Sequence, residues 1–241
     1  MVGSEGYRFC EWRCRTPPPG DLPRSERYAS FLRELPQDPE ECLALIPRKS
    51  RASTRQARDR HGLSFVEDPS RLTQFHRLFL LNKRRLGSPA FSLDFFQDLM
   101  QTFPRRARVH VVVRGNCVVV AVLSFIDRDT LHCYFSGSVP EADSVGASNY
   151  MYWRLMQWAV EQGLERFDFG RSRVDSGPYH FKRHMGFEPR LLPYVFILGV
   201  GERIPEVHPS NKKFSLAQKV IRNLPVPVLE HLGPLLMSLV P

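Results

Sequence analysis

Phe167-Asp168-Phe169-Gly170-Arg171-Ser172, followed by Gly177-Pro178-Tyr179-His180-Phe181-Lys182-Arg183-His184-Met185-Gly186-Phe187, is the stretch on which the reading of this chain turns. Arg166–Phe169 reads as a short strand, and Asp168 alternates with two phenylalanines, so it points away from their face. Tyr179–His184 reads as a short helix, anchored against a sheet by Tyr179, Phe181 and Phe187. Such an order puts Asp168, Arg171 and Ser172 at the carboxyl edge of a sheet, where α/β folds build sites. The planar fork of Arg171 suits a carboxylate or phosphate. Lys182 and Arg183 add positive charge that can hold an anion or stabilise a developing one. His180 and His184 are four apart and share a helix face, but no carboxylate ligand accompanies them, so both are read as non-metal. Plainer readings stand beside these: Asp168 held by the next backbone N–H groups, an ordinary surface arginine at 171, and solvated or core-packed histidines.

Upstream, Ser148–Glu161 reads as a helix with Met151, Leu155, Trp158 and Ala159 on its buried stripe and Gly163 closing it. Before it, Arg108–Arg114, Cys117–Ile126 and Leu131–Phe135 read as a three-strand antiparallel meander, turned at Gly115-Asn116 and Asp127–Asp129. The connection 135–149 contains Gly137 and Gly146 ahead of a helix N-terminus, a place suited to a pyrophosphate or another anion. Glycines before a helix are more often simple turns. Two further helices, one opening at Asp68-Pro69 and one capped by Ser92, precede the meander. Two helices, three strands, helix, strand, helix, strand imply a mixed sheet in an α/β or α+β domain.

Further out, residues 39–60 read as helical, with Pro39 near the N-terminus, a densely basic run at 48–58 and Gly62 as the stop; Phe65-Val66 is a short strand. Residues 7–15 read as a strand that collapses into Thr16-Pro17-Pro18-Pro19-Gly20. Residues 214–241 carry Pro225, Pro227 and Pro234 and read as a broken helix laid on a surface.

An apolar fraction of 42% over 241 residues supports a real core and excludes wholesale disorder. No apolar run reaches the 18 or so residues of a membrane span. Glu5, Arg8, Glu11 and Arg13 leave no signal-peptide core, so a cytoplasmic protein is expected. The five scattered cysteines argue against a disulfide framework, and Cys10 and Cys14 lack a second pair to complete a zinc site. The net charge of +9 points to an anionic partner: nucleic acid, a phosphorylated cofactor or an anionic membrane surface.

The cluster Phe167-Asp168-Phe169-Gly170-Arg171-Ser172, Gly177-x-Tyr179-x-Phe181-Lys182 and Gly186-Phe187-Glu188-Pro189 resembles the C-terminal GNAT acyltransferase domain of FemAB-like proteins. The resemblance is nearest to the subgroup associated with exosortase (PEP-CTERM) and exopolysaccharide systems. Asn149-Tyr150-Met151-Tyr152-Trp153, Ile46-Pro47-Arg48-Lys49, Asn211-x-Lys213-Phe214 and Leu224-Pro225-Val226-Pro227 also match it. It implies a GNAT-like mixed sheet flanked by helices, preceded by a remnant of a second GNAT-like half. Residues 1–38 would be that remnant, 39–202 the acyltransferase domain, and 203–241 a tail packed on it.

The implied reaction is transfer of an acyl or aminoacyl group to an amine in cell-envelope or exopolysaccharide metabolism, without a metal. The donor would be acyl-CoA or aminoacyl-tRNA, and the acceptor an amine-bearing envelope or polysaccharide precursor. Asp168, Tyr179 and Lys182 are the expected catalytic residues. Gly137, Gly146, Asn149, Tyr152, Arg171 and Ser172 are the expected substrate-binding ones. A rival reading is a non-catalytic module recognising polysaccharide, peptide or tRNA, for which the basic run at 48–58 would serve. A third is peripheral membrane contact through the tail, which its prolines oppose as a continuous anchor.

Overall fold

Phe167 and Phe169 are buried and Asp168 lies on the opposite face, as the alternation requires. Their strand is the centre of the architecture. The computed structural model describes residues 8–204 and 212–238. Eight strands form one sheet: β1 (Phe9–Arg13), β2 (Arg24–Glu34), β3 (Leu63–Glu67), β4 (Ala107–Arg114), β5 (Cys117–Asp127), β6 (Thr130–Ser138), β7 (Arg166–Arg173) and β8 (Arg190–Leu198). Their spatial order is β1-β8-β2-β7-β6-β5-β4-β3. Every neighbouring pair is antiparallel except β6–β7, which is parallel.

The meander forms because its turns are two residues long: Arg114 pairs with Cys117 across Gly115-Asn116, and Asp127 with Thr130. A parallel pair needs a crossover, and α4 (Ala147–Glu161) supplies it between β6 and β7. With α1 (Arg48–Arg60) and α5 (Gly177–His184), α4 covers one face of the sheet. Met151, Leu155, Met156 and Ala159 meet Phe31, Leu131 and Phe167 there. On the other face, α2 (Leu72–Leu86) and α3 (Leu93–Thr102) close a second core around Phe75, Phe79 and Phe96, the first two ring centroids each standing 5.1 Å from that of Phe96.

Several expectations are revised. The 39–60 helix is two pieces, a 3-10 turn at Pro39–Leu43 and α1, because Pro47 precedes α1 without an N–H to continue the ladder. The segment expected as a remnant contributes β1 and β2 to the same sheet, β2 standing between β7 and β8. β2 was not expected at all. Its alternation is masked by Arg24, Glu26, Arg27, Arg33 and Glu34, and only Ala29 and Phe31 are fully buried. The tail is indeed broken, into α6 (Lys212–Asn223) and α7 (Val226–Ser238); Ile221 and Leu229 are buried in the second core. Tyr7 and Asn211 lie outside the described residues, as do the side chains of Lys213 and Phe214. No helix among the described residues is long and apolar enough to cross a membrane.

The connection 135–149 is shorter than expected, since β6 runs to Ser138 and takes in Gly137. Gly137 faces α2, and a Cβ there would stand 2.2 Å from the Leu78 carbonyl carbon and 2.5 Å from Phe79 N. That is backbone against backbone, so nothing flexible can yield. Gly137→Ala is expected to cost about 1–3 kcal/mol by overpacking. Gly177→Ala, where no atom lies within 4 Å of the new Cβ, should be neutral within ~1 kcal/mol. Urea midpoints of the two variants check this; an unshifted midpoint for Gly137→Ala would refute the close approach.

Candidate active site

β6 and β7 are joined by three backbone pairs, Thr130↔Arg166, Leu131↔Phe167 and His132↔Asp168, and the ladder ends there. Beyond it β6 goes on to Ser138 and β7 to Arg173. Gly170, with φ +70°, turns its N–H back to Asp168 Oδ1 at 2.8 Å. Only a glycine takes that conformation without strain. The plainer reading of Asp168, a carboxylate held by the following backbone, is therefore one part of its structure.

The other part is new. Asp168 Oδ2 lies 3.3 Å from His132 Nδ1 and 3.6 Å from Arg15 Nη2. Burial pushes the carboxyl upward, but His132, the Gly170 N–H and Arg15 outweigh it and hold Asp168 below the usual carboxylate range. Neither His132 nor Arg15 was singled out in the sequence. Alternation in Leu131-His132-Cys133 puts His132 on the non-core face, but its pairing with Asp168 depends on the parallel register, which no local pattern reports.

Arg171 shares the Asp168 face although three positions separate them. Asp168 pairs with Leu32 and Arg171 with Ser30, so the β2–β7 ladder skips one residue between them. The Arg171 guanidinium stands 5.1 Å from the Tyr28 ring centroid and donates a hydrogen bond from Nη1 to the Tyr194 hydroxyl. Ser172 points to the helix-covered face, where its hydroxyl is buried without a hydrogen-bond partner.

Lys182 approaches β7 from the helix-covered face, between the Phe31 and Phe169 rings at 5.2 and 5.3 Å. Its Nζ donates to the carbonyls of Gly170 at 3.1 Å and Arg171 at 3.2 Å. Lys182 thus clamps the backbone of the parting from below. Tyr179 is buried edge-on against Phe31 at 5.4 Å. Tyr152 packs on Phe169 at 4.2 Å, and burial pushes its phenol upward. Cys133, on β6, is pushed upward by burial as well, so its thiol stays protonated and packs.

At the entry to α4, Gly146 is the N-cap with φ +65°, and its position abuts α1: a Cβ there would stand 2.6 Å from Ser53 Oγ. Asn149 is half-buried in the first turn. Between Val139 and Gly146 the charged residues are Glu141 and Asp143. Asp143 Oδ1 accepts from Ser148 Oγ at 3.4 Å. The structure brings Asp168, His132 and Arg15 together, with Lys182 across β7 from them and Tyr179 packed on Phe31 of the neighbouring strand. Gly137, Gly146 and Asn149 stand apart from that group. No set of three or more metal-ligating side chains clusters among the described residues.

A family model described as the acetyltransferase (GNAT) domain matches residues 47–183, more than half of the chain. The chain belongs to that family. The solved structure of FemX has the same fold, at a TM-score of 0.58 and 14% identity, covering 73% of this chain and 62% of its own. A conserved protein of unknown function from Bacteroides thetaiotaomicron VPI-5482 gives a TM-score of 0.51 at 12% identity, covering 80% of this chain and 63% of its own. This chain spans less than two thirds of either. No curated protein sequence matches it. The GNAT match runs through β6, α4 and β7 and stops just past Lys182, so it contains the parting of the two strands.

Lys182 provides a test of this geometry. Burial lowers its pKa from the ordinary 10.5 to about 8, against the raising effects of Cys133 and Asp168. Between those values the unfolded chain binds more protons than the folded one, so stability from this group rises with pH. Relative to Lys182→Met, the wild type should gain about 3 kcal/mol of unfolding free energy between pH 8 and pH 10.5. Denaturant titrations of both proteins across that window check it; parallel pH profiles would contradict the burial of the ammonium.

Proposed function

We propose that this protein transfers an activated acyl group to an amine at the parting of β6 and β7. The observation that carries the reading is the end of the parallel ladder at His132↔Asp168 inside the GNAT-matched segment, with an ionised carboxylate beside it. An ionised Asp168 holds His132 and Arg15 at the open end of the ladder, beside strand segments that no longer pair with each other. Orientation and fixed charge can drive amide formation without a covalent intermediate. Lys182 and Tyr179 act from behind, Lys182 by fixing the Gly170 and Arg171 carbonyls. Arg171 contributes a cation on the same face as Asp168.

The acceptor in this reading is an amine-bearing precursor of the cell envelope or of an exopolysaccharide, as the FemAB-like, PEP-CTERM-associated motifs imply. Acyl-CoA is the donor that the GNAT family favours. The carboxylates of Glu141 and Asp143 make the 139–146 turn a poor cradle for a pyrophosphate, so the donor's phosphates would lie elsewhere, and aminoacyl-tRNA remains the second donor to offer.

The test is mass-spectrometric detection of amide product. The full chain is incubated with acetyl-CoA, or with a charged tRNA pool, and a panel of amino sugars and lysine peptides. Product should form with at least one pair, and Asp168→Asn should lower kcat/KM by about 10²-fold with little change in Tm. No product from any pair, together with salt-sensitive binding of RNA or polysaccharide, would favour the non-catalytic module.

A further inference from the structure

We propose that His132 is the proton acceptor for the amine and that Asp168 is the residue that positions it; this rests on the acyl-transfer reading above. His132 sits on the last residue pair of the parallel ladder, opposite Asp168. One ring nitrogen, Nδ1, is 3.3 Å from Asp168 Oδ2. A carboxylate only accepts, so this contact favours the neutral imidazole with its proton on Nδ1, which leaves the Nε2 lone pair to take a proton. The side chain is 26% exposed, so it is neither sealed in the core nor loose on the surface.

Asp168 in turn cannot swing. Its Oδ1 is held by the Gly170 N–H at 2.8 Å, and the Gly170 and Arg171 carbonyls are held by Lys182. The charged groups facing the pair are Arg15, from the segment after β1, at 3.6 Å from Oδ2, Arg171, on the same face of β7, and Lys182, whose ammonium lies across β7. All three are cations, and all favour a charged Asp168 over a protonated one.

The proton balance is complete with these groups. An acceptor arriving as R–NH3+ loses one proton to His132 Nε2. The amine nitrogen then bonds to the acyl carbonyl carbon, and the carbon–sulfur bond of a thioester donor, or the carbon–oxygen bond of an ester donor, breaks. The amide nitrogen keeps one hydrogen, the leaving thiol or alcohol takes the third, and the imidazolium returns its proton to water. Asp168 stabilises that imidazolium as it forms.

Two measurements test the proposal. In the resting protein, the 15N shifts of the His132 ring, assigned by their loss in His132→Gln, should report the Nδ1–H tautomer, and Asp168→Asn should shift the population toward Nε2–H. An Nε2–H tautomer in the wild type would overturn the dyad whatever the reaction. In turnover with acetyl-CoA and the best acceptor amine, His132→Gln should keep KM within about twofold and lose kcat by about 10²–10⁴-fold. The loss should shrink at high pH, and the acid limb of the profile should move. A merely structural histidine would lower kcat equally at every pH, which would overturn the proposal. Wild-type turnover that His132→Gln retains would sink this inference alone. Absence of turnover by the wild type with acetyl-CoA and with charged tRNA would sink the acyl-transfer reading and this inference with it.

Discussion

The Gly170 N–H has two kinds of acceptor available to a parallel strand, a carbonyl of β6 or the side chain of its own neighbour. It takes Asp168 Oδ1, at 2.8 Å, and the β6–β7 ladder stops at the residue pair before it. Everything that makes this region a candidate site depends on that exchange. The bulge it forms brings Arg171 round to the Asp168 face. The ladder between β6 and β7 is interrupted in the middle of an otherwise continuous sheet. The carboxylate, used once by Gly170, keeps its second oxygen for His132 and Arg15.

A bulge of this kind would be mobile if nothing held its carbonyls. Lys182 holds both, through charge-assisted bonds that are worth roughly 1.5–3 kcal/mol each. The ammonium carries a desolvation cost to be there, which its lowered pKa records. The Arg15 contact works on a different scale: its side chain is largely exposed, and such pairs contribute about 0–1 kcal/mol. The parting is therefore built from the helix side, by α5 and its aromatic anchors Tyr179 and Phe181, and only trimmed from the open side.

Much of this was legible. The meander, α4, β7, α5 and β8 follow from valine-rich runs, two-residue turns and one 3.6-residue stripe, and the structure has each within a few residues. The burial of Phe167 and Phe169 with Asp168 opposed is plain period-two alternation. β2 escaped because charged residues cover its edges, and Pro47 divided what reads as one helix. At the candidate site, the sequence offers Asp168 and Lys182 as expectations but says nothing of their relation. Alternation alone puts Arg171 on the other face from Asp168, and only the skipped residue in the β2 pairing corrects it. His132 lies 36 positions from Asp168 along the chain; a crossover that fixes a parallel register is what makes them neighbours.

The central claim is that the acyl donor binds where β6 and β7 part. Amide hydrogen exchange of the full chain, with and without saturating acetyl-CoA and then with charged tRNA, tests it most directly. Protection should appear at residues 133–138 of β6 and 169–173 of β7, the segments beyond the last ladder pair, while the β4–β5 hairpin stays unchanged. Protection confined to α6 and α7, or to the arginines of α1, would contradict it.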